Sequence, residues 1–165
     1  METLWAPWRM DYILDKNPGP GCVFCLPPDH LGPLKERLVL HSDPQVFLIM
    51  NRFPYNNCHL LAAPRRHVAT LSEATSGERA ALMELVAKTT ELLNEFCRPD
   101  GFNIGINQGI AAGAGIVDHL HVHVTPRFGG DTNFMTVLGD TRVIPEHLEK
   151  TYLKLLELFV DRLRT

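Results

Sequence analysis

Between Asp118 and Arg127, three histidines, His119, His121 and His123, alternate with Leu120, Val122 and Val124. In an extended strand successive side chains point to opposite faces, so the imidazoles share one face and the apolar groups the other. Three imidazoles on one face carry six ring nitrogens, more than a purely structural role would satisfy. Same-face neighbours stand roughly 6.6 Å apart along a strand. Two of them can converge on one metal ion that holds its ligands at about 2 Å, whereas the outer pair lies about twice as far apart. The spacing therefore divides the labour, one ring for structure and another for chemistry.

Cys22 and Cys25 form a second chemical pattern, Cys-x-x-Cys, set between glycines and prolines. In a reduced compartment such a pair is either a redox couple or half of a zinc site. Pro27 and Pro28 oppose the helix start that a thioredoxin-like couple requires, so the metal reading is favoured. Its two remaining ligands must come from His30, His41, His59, His67 or the histidine run. A third pattern is the loop from Gln108 to Gly115, which holds Gly109, Gly113 and Gly115 with three alanines. Residues this small let backbone N–H groups approach an anion closely, directly ahead of the histidines. Arg65 and Arg66 read equally well as solvated charges or as phosphate contacts.

The elements that position these groups follow from periodicity and punctuation. Arg37 to His41 and Gln45 to Met50 flank Ser42-Asp43-Pro44, which predicts a strand, a turn and a strand. Asn51 to Asn57 is a loop by composition, and Cys58 to Ala63 is a third strand ending at Pro64. Thr75 and Glu78 have capping-box spacing, and Leu82, Leu85, Val86, Thr89, Leu92, Leu93 and Phe96 form one helical stripe with Cys97 as a packing residue beyond it. Pro99-Asp100-Gly101 ends that helix. Phe102 to Asn107 alternates as a fourth strand, and the histidine run is the fifth. A final helix is expected to begin near Pro145, with Leu148, Tyr152, Leu155, Leu156, Phe159 and Leu163 on its stripe. Trp5 and Trp8, near the start of the chain, are expected to dock on the domain or on a second subunit. The class is α+β, an antiparallel sheet of five strands with two main helices on one face.

At 165 residues the chain is one domain, residues 1–165, large enough for a real core. A net charge of −3 and a pI near 6.2 argue against a nucleic-acid partner. Any anionic substrate must then be held by local groups. No stretch approaches 18 apolar residues, and the first ten residues lack a basic region followed by an apolar core. These features predict no membrane partner and a cytoplasmic protein whose four cysteines are reduced or metal-bound.

The run His119-Leu120-His121-Val122-His123-Val124-Thr125-Pro126-Arg127 resembles the signature of the histidine-triad (HIT) family of nucleotide hydrolases and transferases. Phe102 to Asn107 before it and Arg127 to Phe134 after it extend the resemblance. Leu4 to Ile13 is similar to the opening of bacterial members grouped with diadenosine tetraphosphate phosphorylases. In that family the middle histidine attacks the α-phosphorus and forms a covalent nucleotidyl-histidine. The resemblance therefore implies that His121 is the nucleophile and that His123 lines the phosphate site. Asn107 would approach the scissile phosphate, Asn51 would meet the ribose hydroxyls, and Gly113 and Gly115 would offer backbone donors to the nucleotide.

Cys22, Cys25, His67 and His119 resemble the zinc set of the related galactose-1-phosphate uridylyltransferases, with His59 and His30 as rivals to His67. Two thiolates and two imidazoles make a closed tetrahedral site, hence a structural one. The implied organisation is a zinc-pinned segment over residues 1–36, a catalytic core over 37–128, and a loop with the C-terminal helix over 129–165. The family's usual assembly is a homodimer with a ten-stranded sheet. Best-known branches carry a glutamine and a hydroxyl residue where this chain has Gly115 and Ile116, and glycine where it has Cys58. The implied activity is cleavage of a dinucleoside polyphosphate, with inorganic phosphate as a possible acceptor. The alternatives are a nucleotidyltransferase or phosphoramidase with another leaving group, and a non-catalytic nucleotide-binding zinc protein.

Overall fold

A computed structural model of the chain describes residues 21–131, 144 and 146–163. Trp5, Trp8, the stretch from Thr132 to Phe134 and Pro145 lie outside the described residues. The strands are β1 (Val39–Ser42), β2 (Val46–Met50), β3 (Leu60–Pro64), β4 (Gly101–Gly105) and β5 (Val122–Arg127), and the main helices are α1 (Ser76–Cys97) and α2 (Leu148–Arg162). All pairings are antiparallel, in the order β1-β2-β3-β5-β4. The α+β architecture expected from the sequence is the one observed. Among these residues no helix is long and apolar enough to cross a membrane.

Register sorts the sheet into two faces. Leu48, Ala62 and Val122 stand in one row and Met50, Leu60, Val124 and Ile104 in the next. Ile49, Leu61, His123 and Gly105 form the row between them, which faces the opposite way. Helix α1 lies against β2, β3 and β5, while α2 lies against β1 and touches α1. Leu82, Leu85, Val86, Leu92 and Leu93 are buried as the stripe predicts, each worth about 1.5–3 kcal/mol relative to exposure. Both halves of the capping box form, since Thr75 Oγ1 accepts from the Glu78 N–H and Glu78 accepts from the Thr75 N–H.

Several boundaries differ from the sequence reading, including β1, which runs from Val39 to Ser42, and β3, which runs from Leu60 to Pro64. The ladder of β5 begins at Val122, so His119 and His121 precede the strand. Its partner β3 ends at Pro64, which the register would place opposite Leu120 and which has no N–H to extend the ladder. The Leu120 N–H bonds instead to the Val68 carbonyl at 2.6 Å. Strand β4 stops at Gly105, leaving Ile106 and Asn107 in the following loop. Helix α2 starts at Leu148 with His147 as its N-cap residue, three positions beyond Pro145.

Candidate active site and metal centre

Residues Cys22 to Cys25 make a tight turn in which the Cys25 N–H bonds to the Cys22 carbonyl at 3.0 Å. Phe24 points inward from this turn and packs on Phe47, His119 and His121, with ring centroids 6.2, 5.6 and 4.9 Å away. One ring thus touches both histidines, so they keep a common side although they lie ahead of the ladder. Arg37 donates to the carbonyls of Cys25, at 2.8 Å, and Val23. Arg65 donates to Pro27, Pro28 and His30 carbonyls and to Ser42 Oγ, each at 2.8–2.9 Å. Arg66 pairs with Glu78 at 2.7 Å. Sequence alone left Arg65 and Arg66 as solvated charges or phosphate contacts; the structure makes Arg65 a clamp on the cysteine-bearing segment and Arg66 an anchor on α1.

The clamp brings Cys22, Cys25, His67 and His119 together, with all four donor atoms within 4.8 Å of one another. Cys22 Sγ is 3.4 Å from His119 Nδ1, Cys25 Sγ is 3.3 Å from His67 Nδ1, and Cys25 Sγ is 3.9 Å from His119 Nδ1. A tetrahedral ion with sulfur and nitrogen at 2.0–2.3 Å sets its ligands roughly 3.3–3.8 Å apart, so the cluster fits. His119 Nε2 donates to the Pro64 carbonyl at 2.8 Å, which leaves the Nδ1 lone pair for the metal. Burial first, and then the Cys22 thiol beside it, push the Cys25 thiol up. A bound cation would reverse that shift, because a coordinating thiol is deprotonated. The rival ligands turn elsewhere: His30 Nε2 bonds to the Pro33 carbonyl at 3.0 Å, and His59 faces His123.

His121 Nδ1 donates to the backbone carbonyl of His119 at 2.8 Å. The ring is 5% exposed, yet no buried side-chain polar atom among the described residues lacks a partner, so its unbonded Nε2 reaches solvent. Burial holds His121 below the ordinary imidazole range against the opposing pull of that carbonyl, which keeps the ring neutral and the Nε2 lone pair available. His123 lies 5.0 Å from His121, ring to ring, and on its other side meets His59, with His59 Nε2 3.0 Å from His123 Nδ1. Tyr55 stacks on His123 at 5.7 Å with planes 9° apart. Neither His59 nor Tyr55 was assigned to this cluster from sequence. The available signal was His59 at the head of a strand bordering the histidine run, and it was weighed only as a metal ligand.

The other expected site residues fall around this centre. Asn51 Oδ1 accepts from the Phe53 N–H at 2.9 Å, and its Nδ2 stands 3.3 Å from His59 Nδ1. Gly105 pairs with His123, and Asn107 follows two residues later in the loop that leaves β4. The glycine loop is pinned by Gln108, whose Oε1 accepts from the Leu71 N–H at 3.0 Å. It forms a short 3₁₀ turn at Ile110–Ala112 closed by Gly113 at φ 82°, a left-handed conformation that favours glycine. Within that turn the N–H groups of Ala112, Gly113 and Ala114 already bond to the Gly109 and Ile110 carbonyls, so the broad backbone cradle expected there is reduced to its end at Gly115. Cys58, where the family's best-known branches carry glycine, is buried at φ 58°, a left-handed conformation that glycine adopts easily.

A family model described as "HIT domain" matches residues 34–130. The chain belongs to the HIT family. It is 38% identical over 157 residues to a Mycobacterium tuberculosis protein named AP-4-A phosphorylase, covering 92% of this chain and 80% of the relative. It is also 32% identical over 102 residues to an Arabidopsis thaliana protein named bifunctional bis(5'-adenosyl)-triphosphatase/adenylylsulfatase FHIT, covering 61% of this chain and 56% of the relative. Among solved structures, a zinc-bound HIT protein from Mycobacterium smegmatis aligns with TM-score 0.62 at 26% identity, over 76% of this chain and 85% of that one. The HIT match begins after the cysteine turn and ends before α2, so the thiolate half of the metal centre lies outside it.

Proposed function

We propose that this HIT protein transfers a nucleotidyl group from a dinucleoside polyphosphate of the diadenosine tetraphosphate type through a covalent nucleotidyl-histidine on His121. The observation that carries the reading is the tautomer of His121. Its Nδ1–H is held by the His119 carbonyl, so the lone pair lies on Nε2, which is open to solvent. A neutral imidazole in that state is a competent nucleophile, and the covalent intermediate divides one difficult displacement into two easier steps. In the first step the Nε2–P bond forms as the bond to the leaving polyphosphate breaks. In the second an acceptor oxygen displaces Nε2 and regenerates the ring.

The resemblance to the family supplies the remaining roles. His123 meets the phosphate oxygens beside His121, Asn107 approaches the scissile phosphate, Asn51 meets the ribose, and Gly115 lines the phosphate path. The metal is zinc, bound by Cys22, Cys25, His67 and His119. With four protein ligands it has no open position, and when bound it supplies cohesion between the cysteine turn and the catalytic segment. The relative named AP-4-A phosphorylase supports the substrate class. A homodimer that pairs two sheets edge to edge is supported by β4, an outer strand whose Asn103 to Gly105 stretch is exposed.

Inorganic phosphate is the proposed acceptor. The exposed end of the glycine loop at Gly115, with Ile116 following it, has no side-chain hydroxyl or amide to hold a water and suits a compact anion. Product analysis of diadenosine tetraphosphate turnover tests this. Phosphorolysis yields ADP and ATP, and the rate rises with phosphate; AMP and ATP at a rate indifferent to phosphate would make water the acceptor.

A further inference from the structure

The Nδ1 atom of His59 accepts a hydrogen bond from the backbone N–H of Tyr55 at 3.1 Å. A backbone N–H only donates, so this nitrogen bears the lone pair, and the proton of the neutral ring is on Nε2. That Nε2–H donates to His123 Nδ1 at 3.0 Å, which must in turn be the lone-pair nitrogen of its own ring. The proton of neutral His123 is therefore on Nε2. Asn51 agrees with this assignment. Its Oδ1 is held by the Phe53 N–H, which turns its amide nitrogen toward the same His59 Nδ1.

Packing keeps the chain of bonds in line. The Tyr55 ring stacks on His123 and leans on His59 at 4.7 Å, and His59 is 1% exposed. Burial, then His123 and His121, push His59 down to about 3, and burial, then His121, pushes His123 down to about 4. Both rings stay singly protonated at neutral pH.

We propose that Tyr55 and His59 are a positioning pair that fixes His123 as its Nε2–H tautomer, so that this ring offers a proton where the adjacent His121 offers a lone pair. The proposal rests on the nucleotidyl-transfer reading. Two neighbouring imidazoles face one phosphate with opposite requirements, since the nucleophile must present an electron pair and its neighbour must donate to oxygens that gain charge. A lone pair on both rings would repel those oxygens. Each requirement is met by a backbone group: the His119 carbonyl sets His121 directly, and the Tyr55 N–H sets His123 through His59.

Nitrogen-15 spectra of ring-labelled histidines in the metal-loaded protein read the tautomers without reference to turnover. The wild-type protein should show His123 protonated at Nε2 alone. His59→Leu should show His123 exchanging between tautomers, with kcat on diadenosine tetraphosphate reduced by about tenfold to a hundredfold and KM little changed. His59→Gln, which keeps a terminal N–H donor, should recover much of both. Tyr55→Ala keeps the backbone N–H and should keep the tautomer. A wild-type His123 protonated at Nδ1, or a folded His59→Leu protein with an unchanged His123 tautomer and unchanged kcat, overturns the proposal. A correct tautomer in a protein that turns over no nucleotide would instead refute the nucleotidyl-transfer reading and leave the hydrogen-bond pair standing.

Discussion

His119 and His121 are two residues apart and do different work through the same backbone. The side chain of His119 joins the cluster that could hold a metal while its carbonyl orients His121, so on the proposed reading a change at the metal would reach the nucleophile over one peptide unit. His119→Ala and Cys22→Ser should each release metal and lower stability by several kcal/mol, because binding free energy of a structural zinc is folding free energy. Metal content and denaturant midpoint, measured on the same samples, check this; a Cys22→Ser protein of unchanged midpoint would argue against it. The depressed imidazoles give a second expectation. His59 and His123 lie near 3 and 4 in the folded protein against about 6.5 in an unfolded chain. Between those values the unfolded state binds more protons, so stability is full above pH 6.5 and falls as pH drops below it. His59→Asn should flatten that decline in a denaturation series from pH 7 to pH 4. A slope identical to wild type would show that His59 is not a buried neutral ring.

Elements were read from the sequence well where local chemistry decides them, and less well where a distant partner does. The capping box at Thr75 and Glu78 and the apolar stripe of α1 are local signals, and both appear as expected. The start of β5 was misplaced because its ladder depends on Pro64, a residue of another strand 58 positions away from Val122. The grouping of Cys22 and Cys25 with His67 and His119 was legible, the cysteine pair by its spacing and the two histidines by resemblance. The Arg65 clamp was not, since nothing near Arg65 in sequence announces carbonyl partners at Pro27, Pro28 and His30. His59 escaped for the same reason, its partner His123 being 64 residues distant. The clamp carries its own prediction. Arg65→Met keeps much of the aliphatic stem but removes four donated hydrogen bonds, and should destabilise the protein by about 1–3 kcal/mol while speeding metal loss to a chelator. Equal chelation rates in the two proteins would show that Arg65 does not hold the cysteine turn.

Taken as a whole, the molecule is a HIT sheet with two helices packed against it and a cysteine turn that carries Phe24 onto the rings of His119 and His121. The Arg65 clamp, the Phe24 contact and the His119 carbonyl converge on one result, a His121 ring held with its Nδ1 bonded and its Nε2 lone pair free. The most direct test of that account is to mix the metal-loaded protein with diadenosine tetraphosphate, quench rapidly under alkaline conditions, and map any added mass by peptide sequencing. The account predicts one adenylyl group on the peptide containing His121, located on that residue. It also predicts no adduct in His121→Ala, with turnover lower by roughly four orders of magnitude or more. Turnover without an adduct in the wild-type protein, accompanied by substantial activity in His121→Ala, would contradict it.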